Sequence, residues 1–119
     1  MSESIDAASP RLVACLCAAW CRTCDDYRPT FDALAREFEH EARFVWVDIE
    51  DDEAALGGVD VVDFPTLLVA RGDAIDFYGP VLPHLQTARQ LLQRALQGGL
   101  STVNDAALTG LPTRLRSLR

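Results

Sequence analysis

The stretch Arg11-Leu12-Val13-Ala14-Cys15-Leu16-Cys17-Ala18 constrains the fold most. It is nearly all apolar and lacks clean alternation, which suits a strand buried on both faces. Directly after it stands Ala19-Trp20-Cys21-Arg22-Thr23-Cys24, and from Asp25 to Glu39 the pattern turns helical. Tyr27, Phe31, Leu34, Ala35 and Phe38 recur at helical spacing and predict a core-facing stripe. Pro29 falls inside this helix and is expected to bend it. A strand feeding a helix through C-x-x-C places the first thiol at the helix N-terminus. There, unpaired backbone N–H groups and the positive end of the helix dipole favour an anion. A thiolate is the anion that attacks disulfides, so the placement has a chemical use.

The rest of the chain supplies a small α/β domain. Residues 43–49, R-F-V-W-V-D-I, read as a second buried strand, with Val45, Val47 and Ile49 on one face and Phe44, Trp46 and Asp48 on the other. Asp51 to Leu56 is acidic and helix-prone, and Gly57-Gly58 ends it. After a connector and Phe64-Pro65 come two strands, Thr66–Ala70 and Ala74–Tyr78, joined by Arg71-Gly72-Asp73 as a hairpin. Gly79-Pro80 is expected to break the second of them. Leu85, Ala88, Leu91, Leu92, Ala95 and Leu96 give a final helix its buried stripe, with Gly98-Gly99 as its stop. The β-α-β start implies a right-handed parallel crossover. The expectation is a mixed four-stranded sheet flanked by helices, with room for one short extra N-terminal element.

At 119 residues the chain makes one domain with a real core. Its net charge of −7 argues against nucleic acid or an anionic membrane as partner. Arg114, Arg116 and Arg119 against Asp105 make the last stretch mildly basic on an acidic body. The polar, acidic first ten residues lack a basic segment before an apolar run, and no stretch approaches a membrane span. A cytoplasmic protein with reduced resting thiols is expected. Cys15, Cys17, Cys21 and Cys24 are too crowded to staple a whole domain, so they read as a site.

Trp20-Cys21-Arg22-Thr23-Cys24, Pro29 five residues on, Phe64-Pro65-Thr66 and Gly79 together resemble the thioredoxin family over about residues 11–97. The resemblance implies three parts: a polar N-terminal segment over 1–10, a thioredoxin-like domain over 11–97, and an Arg-containing C-terminal tail over 98–119. It implies a thiol–disulfide oxidoreductase that reduces protein disulfides, with Cys21 as nucleophile and Cys24 as the resolving thiol. It implies a cis Pro65, and a substrate groove formed by Trp20, Arg22, Phe64, Pro65 and Gly79, with Pro80 beside them. Beyond the redox-active disulfide it needs no cofactor and no metal. Its partners would be protein disulfides and an electron-donating reductase or glutathione, and a monomer is expected.

This chain departs from the family at two places. Cys15 falls where thioredoxins keep a buried aspartate, and Trp46 where they keep its lysine partner. Arg-Thr also stands between the cysteines where thioredoxin itself has Gly-Pro. Arg22 brings positive charge beside Cys21, and Asp25 and Asp26 bring negative charge.

Strand periodicity puts Cys15 and Cys17 on one face. Three readings are open for them: small buried hydrophobes, an auxiliary redox pair exchanging with Cys24, or part of a C-x-C-x3-C-x2-C thiolate site for zinc or an iron–sulfur cluster. For the whole protein, a non-catalytic binding module using the Phe64–Pro65 groove or the tail is the alternative to a reductase. His40 and His84 read as surface residues. The acidic run Glu50 to Glu53 reads as a solvated helix start, because it lacks the ligand spacing of a calcium loop.

Overall fold

A computed structural model describes residues 11–118. The expected N-terminal segment, and any extra element in it, lies outside the described residues. In chain order the elements are β1 (Arg11–Cys17), α1 (Arg22–Glu37), β2 (Ala42–Asp48), α2 (Glu53–Leu56), β3 (Thr66–Arg71), β4 (Ala74–Pro80), α3 (Leu85–Leu96), a 3-10 turn (Ala106–Leu108) and α4 (Leu111–Arg116). The strands form one sheet in the order β2-β1-β3-β4. β1 runs parallel to β2 and antiparallel to β3, and β3 and β4 form the hairpin.

The pleat of β1 sorts its side chains into two cores. Val13, Cys15 and Cys17 face one side, with Leu67 and Val69 of β3. α1 covers that side with Cys24, Tyr27, Phe31 and Leu34, and α3 with Ala88, Leu92 and Ala95. Leu12, Ala14 and Leu16 face the other side, with Val45 and Val47 of β2 and Leu68 and Ala70 of β3. β1 is thus buried on both faces, as its unbroken apolar run requires.

The second core is closed largely by residues after Gly99. Leu108, Leu111 and Leu115 all lie within it, with Leu56 of the four-residue α2. Side chains of α4 also tie it to its surroundings. Arg114 donates from Nε to the Ala55 carbonyl at 2.8 Å and from Nη2 to the Leu56 carbonyl at 3.3 Å, satisfying the C-terminal end of α2. The Thr113 hydroxyl donates to Asp73 at 2.8 Å, and Arg116 donates to the Gly72 carbonyl at 2.7 Å, so the hairpin turn is held from below. Before α4, the Val103 N–H donates to the Ile75 carbonyl of β4 at 2.7 Å, forming a single bridge beside that strand.

One local expectation changes. β4 does not stop before Gly79-Pro80: Gly79 pairs with Leu67 and Pro80 with Thr66. Among the described residues β4 has no strand on its outer side, so the missing proline N–H leaves no ladder partner unmet there. α1 runs unbroken from Arg22 to Glu37 with Pro29 inside it, although proline withholds the N–H that would bond the carbonyl four residues back.

Candidate functional site

Three stretches meet at one end of the sheet. In register, Leu16 near the end of β1 lies opposite Thr66 at the start of β3, and Thr66 lies opposite Pro80 at the end of β4. The loop after β1, the Phe64–Pro65 step and the Gly79–Pro80 end of β4 are therefore neighbours. The Phe64–Pro65 peptide bond is cis. The Thr66 hydroxyl donates to the Asp63 carbonyl at 2.6 Å, and the Pro65 carbonyl accepts from the Val81 N–H at 3.1 Å, so the step is fixed on both sides.

Trp20 is 67% exposed and meets the Phe64 ring edge-on at 5.5 Å between centroids. An exposed tryptophan resting on a half-buried phenylalanine makes a shallow apolar surface. Val62 and Leu82 are exposed apolar residues as well, at 73% and 64%. Sequence reasoning found Trp20 and Phe64 but not these two. Isolated apolar residues in loops carry no periodicity to flag them.

Cys21 is the N-cap of α1. Its backbone is extended, its N–H donates to the Ala18 carbonyl at 3.0 Å, and its carbonyl accepts from the Asp25 N–H at 3.2 Å. Its thiol is free and partly exposed. Arg22, Asp25 and Asp26 are exposed around it on the first turn of the helix.

Cys24, three residues on, is buried on the helix stripe that continues through Tyr27, Phe31 and Leu34. It is joined in a disulfide not to Cys21 but to Cys17, with 5.8 Å between the Cα atoms. Two periodicities bring these partners together. The pleat aims Cys17 at the α1 side of the sheet, and the helix stripe aims Cys24 back at it. The C-x-x-C spacing draws attention to Cys21, and the parity of β1 was the signal for Cys17.

Cys15 continues the sulfur cluster. Its Sγ lies 3.7 Å from the Cys17 Sγ, and the residue is fully buried. Burial pushes its pKa well above the ordinary thiol range, against a smaller opposing pull from Arg28. The desolvated charged form is the one penalised. A thiol so held stays protonated at neutral pH and does not act as a base there.

Directly across β1–β2 from Cys15 stands Trp46. It packs against Phe31 at 5.6 Å, and the Arg28 guanidinium lies 4.6 Å over its ring. The two departures from the family pattern are therefore cross-strand neighbours, and neither side chain is charged at neutral pH. Losing both members together avoids a lone buried charge, which would be far more costly than an apolar pair.

The remaining sequence candidates lie elsewhere. His40 and His84 are exposed. In the acidic run, the Asp48 carboxylate accepts from the Glu50 and Asp51 N–H groups at 2.9 and 3.1 Å, and the Asp52 carboxylate accepts from the Asp48 N–H at 3.0 Å. These carboxylates organise a turn. Among the described residues no cluster of three or more His, Cys, Asp or Glu is placed to hold a metal ion, and no helix is long and apolar enough to cross a membrane.

Comparison with known proteins agrees with this geometry. The sequence model described as Thioredoxin matches residues 2–90. Thioredoxin of Haemophilus influenzae is 31% identical over 77 residues, which cover 64% of this chain and 72% of that protein. Thioredoxin of Staphylococcus aureus is 28% identical over 60 residues, or 50% of this chain and 58% of that protein. Among solved structures, the germline-specific thioredoxin Deadhead of Drosophila melanogaster shares the fold, with a TM-score of 0.65 at 20% identity over 77% of this chain and 88% of that one. The family match spans most of the described domain and includes the C-x-x-C, the Phe64–Pro65 step and the hairpin start. The chain therefore belongs to the thioredoxin family of thiol–disulfide oxidoreductases.

Proposed function

We propose that this protein reduces protein disulfides, with Cys21 as the attacking thiolate and Cys24 as the resolving thiol. One observation carries the assignment. Of the four cysteines, Cys21 alone is exposed to solvent, and it does so as a free thiol at a helix N-cap. Attack on a substrate disulfide forms a Cys21–substrate mixed disulfide and releases one substrate thiolate. Cys24, one helical turn on, then attacks the Cys21 sulfur and releases the second. Residues three apart on a helix are neighbours, which brings the two sulfurs within reach.

The apolar surface of Trp20 and Phe64 would receive an extended substrate segment. The cis Pro65 would leave the Phe64 backbone free to pair with it, Gly79 would line the groove, and exposed Arg22 would meet acidic residues nearby. An electron-donating reductase or glutathione would return the dithiol. No cofactor beyond the cysteines is required for such exchange. A cytoplasmic monomer with this fold fits the reading, since its thiols must rest reduced.

Turnover on insulin disulfides with dithiothreitol as donor tests the assignment. Cys21→Ser is expected to drop the rate to that of dithiothreitol alone. If Cys21→Ser keeps the wild-type rate, the catalytic assignment is wrong, and a binding module built on the Trp20–Phe64 surface becomes the better reading.

A further inference from the structure

Cys24 has two sulfur neighbours of opposite accessibility. Cys17, to which it is bonded, is 1% exposed, as is Cys24 itself, whereas Cys21 is partly exposed. A thiol in bulk solvent therefore has no direct route to either sulfur of the Cys17–Cys24 bond. Disulfide exchange needs direct approach of the attacking sulfur. Any equivalents that pass between this bond and the solvent have to pass through Cys21.

Resting on the reductase reading above, we propose that Cys17 is a third redox residue and that Cys24 relays a disulfide between Cys21 and Cys17. After a substrate is reduced, the protein carries a Cys21–Cys24 bond. The Cys17 thiolate attacks the Cys24 sulfur, the Cys21–Cys24 bond breaks, the Cys17–Cys24 bond forms, and Cys21 leaves as a thiolate. The step is internal exchange: one disulfide and one thiolate stand on each side, and no electrons are gained or lost. The reverse step, with Cys21 attacking Cys24 and Cys17 leaving, returns the disulfide to the surface, where donor thiols reduce it.

The direction of the equilibrium follows from burial. Forming the inner disulfide expels Cys21, at a helix N-terminus open to water. Forming the outer one expels Cys17 as a thiolate among buried apolar side chains, with the Cys15 Sγ only 3.7 Å away. Unsolvated charge is penalised, so the inner disulfide is the favoured oxidised form. The oxidised protein then keeps a free Cys21 thiol, which an enzyme with only the outer pair would not.

The test is to oxidise wild-type protein in glutathione buffer, block free thiols with a maleimide, digest and map the disulfides by mass. The expected result is a Cys17–Cys24 linkage with the maleimide on Cys21. Cys21→Ser should both gain the inner linkage and lose it to glutathione at least ~10-fold more slowly than wild type, because the only accessible relay sulfur is gone. Oxidised wild type mapping wholly to Cys21–Cys24, with insulin turnover intact, overturns the relay and leaves the reductase reading standing. Equal reduction rates in wild type and Cys21→Ser also overturn the relay. No insulin turnover by wild type overturns the reductase reading and the relay with it.

Discussion

Truncating Leu115 to alanine tests whether the C-terminal segment belongs to the core. Leu115 has no exposed surface and packs in the cluster that includes Leu12, Leu16, Val45 and Val47. It sits on a six-residue helix, too short to rearrange around a hole without leaving the sheet. The substitution removes three carbon atoms from a site walled by two strands and by Leu111. Leu→Ala changes in such sites cost about 3 kcal/mol, the sum of lost transfer free energy and the cavity left behind. For a domain of this size that corresponds to a fall of roughly 12 °C in Tm. Urea unfolding should show the same loss as a shift of midpoint with an unchanged slope, since the surface exposed on unfolding is nearly the same. Ser101→Ala, exposed in the same segment, serves as control and should stay within about 0.5 kcal/mol of wild type. A Leu115→Ala cost under ~1 kcal/mol, less than any buried leucine truncation of this kind, would refute the placement of α4 on the sheet.

Two further outcomes follow from the buried groups around Cys15. The Tyr27 side chain is fully buried, and its hydroxyl has no hydrogen-bond partner among the described residues. Tyr27→Phe removes an unpaid desolvation cost and should raise stability by about 1 kcal/mol, read as a higher urea midpoint; a lower midpoint would show that the hydroxyl is satisfied. Burial raises the Cys15 pKa. An acid so shifted adds stability below its unfolded value, about 8.5 for a thiol, and that stability is lost as pH rises from there toward the folded value. Unfolding midpoints should therefore fall between about pH 8.5 and 9.5, before tyrosines titrate, and Cys15→Ala should flatten the fall; identical slopes would place Cys15 in contact with water.

Much of the architecture was legible because it rests on local periodicity. The unbroken apolar run of β1, the stripe of α1 and the Arg71-Gly72-Asp73 turn each follow from short-range pattern. The seating of α4 was not, because six residues hold too little periodic signal. Leu108, Leu111 and Leu115 stand three and four apart, which is helical spacing, but the 3-10 turn and Gly110 interrupt it. A demand set elsewhere would have found it: β1 needs cover on both faces, α1 and α3 supply one, and four-residue α2 is too small for the other. At the site, C-x-x-C located Cys21 at the helix start. Whether Cys15 or Cys17 reaches Cys24 depends on how far the helix start lies along the strand, and no pattern within either element carries that distance. Trp20 and Phe64 meet only because Pro65 enters β3 beside the end of β1.

The lone Ile75–Val103 bridge has a consequence for solubility in the crowded conditions of a cell. β4 ends the sheet, and an outermost strand offers unpaired N–H and C=O groups on which a second molecule could add a strand. Here the segment after α3 comes back to occupy Ile75 near the start of β4, and Pro80 withholds a donor at its other end. Between them the two devices shorten the stretch open to strand addition. The C-terminal segment thus guards the sheet from self-association as well as completing its core, and a protease cut between Gly99 and Val103 would expose an apolar sheet face and an adhesive strand together.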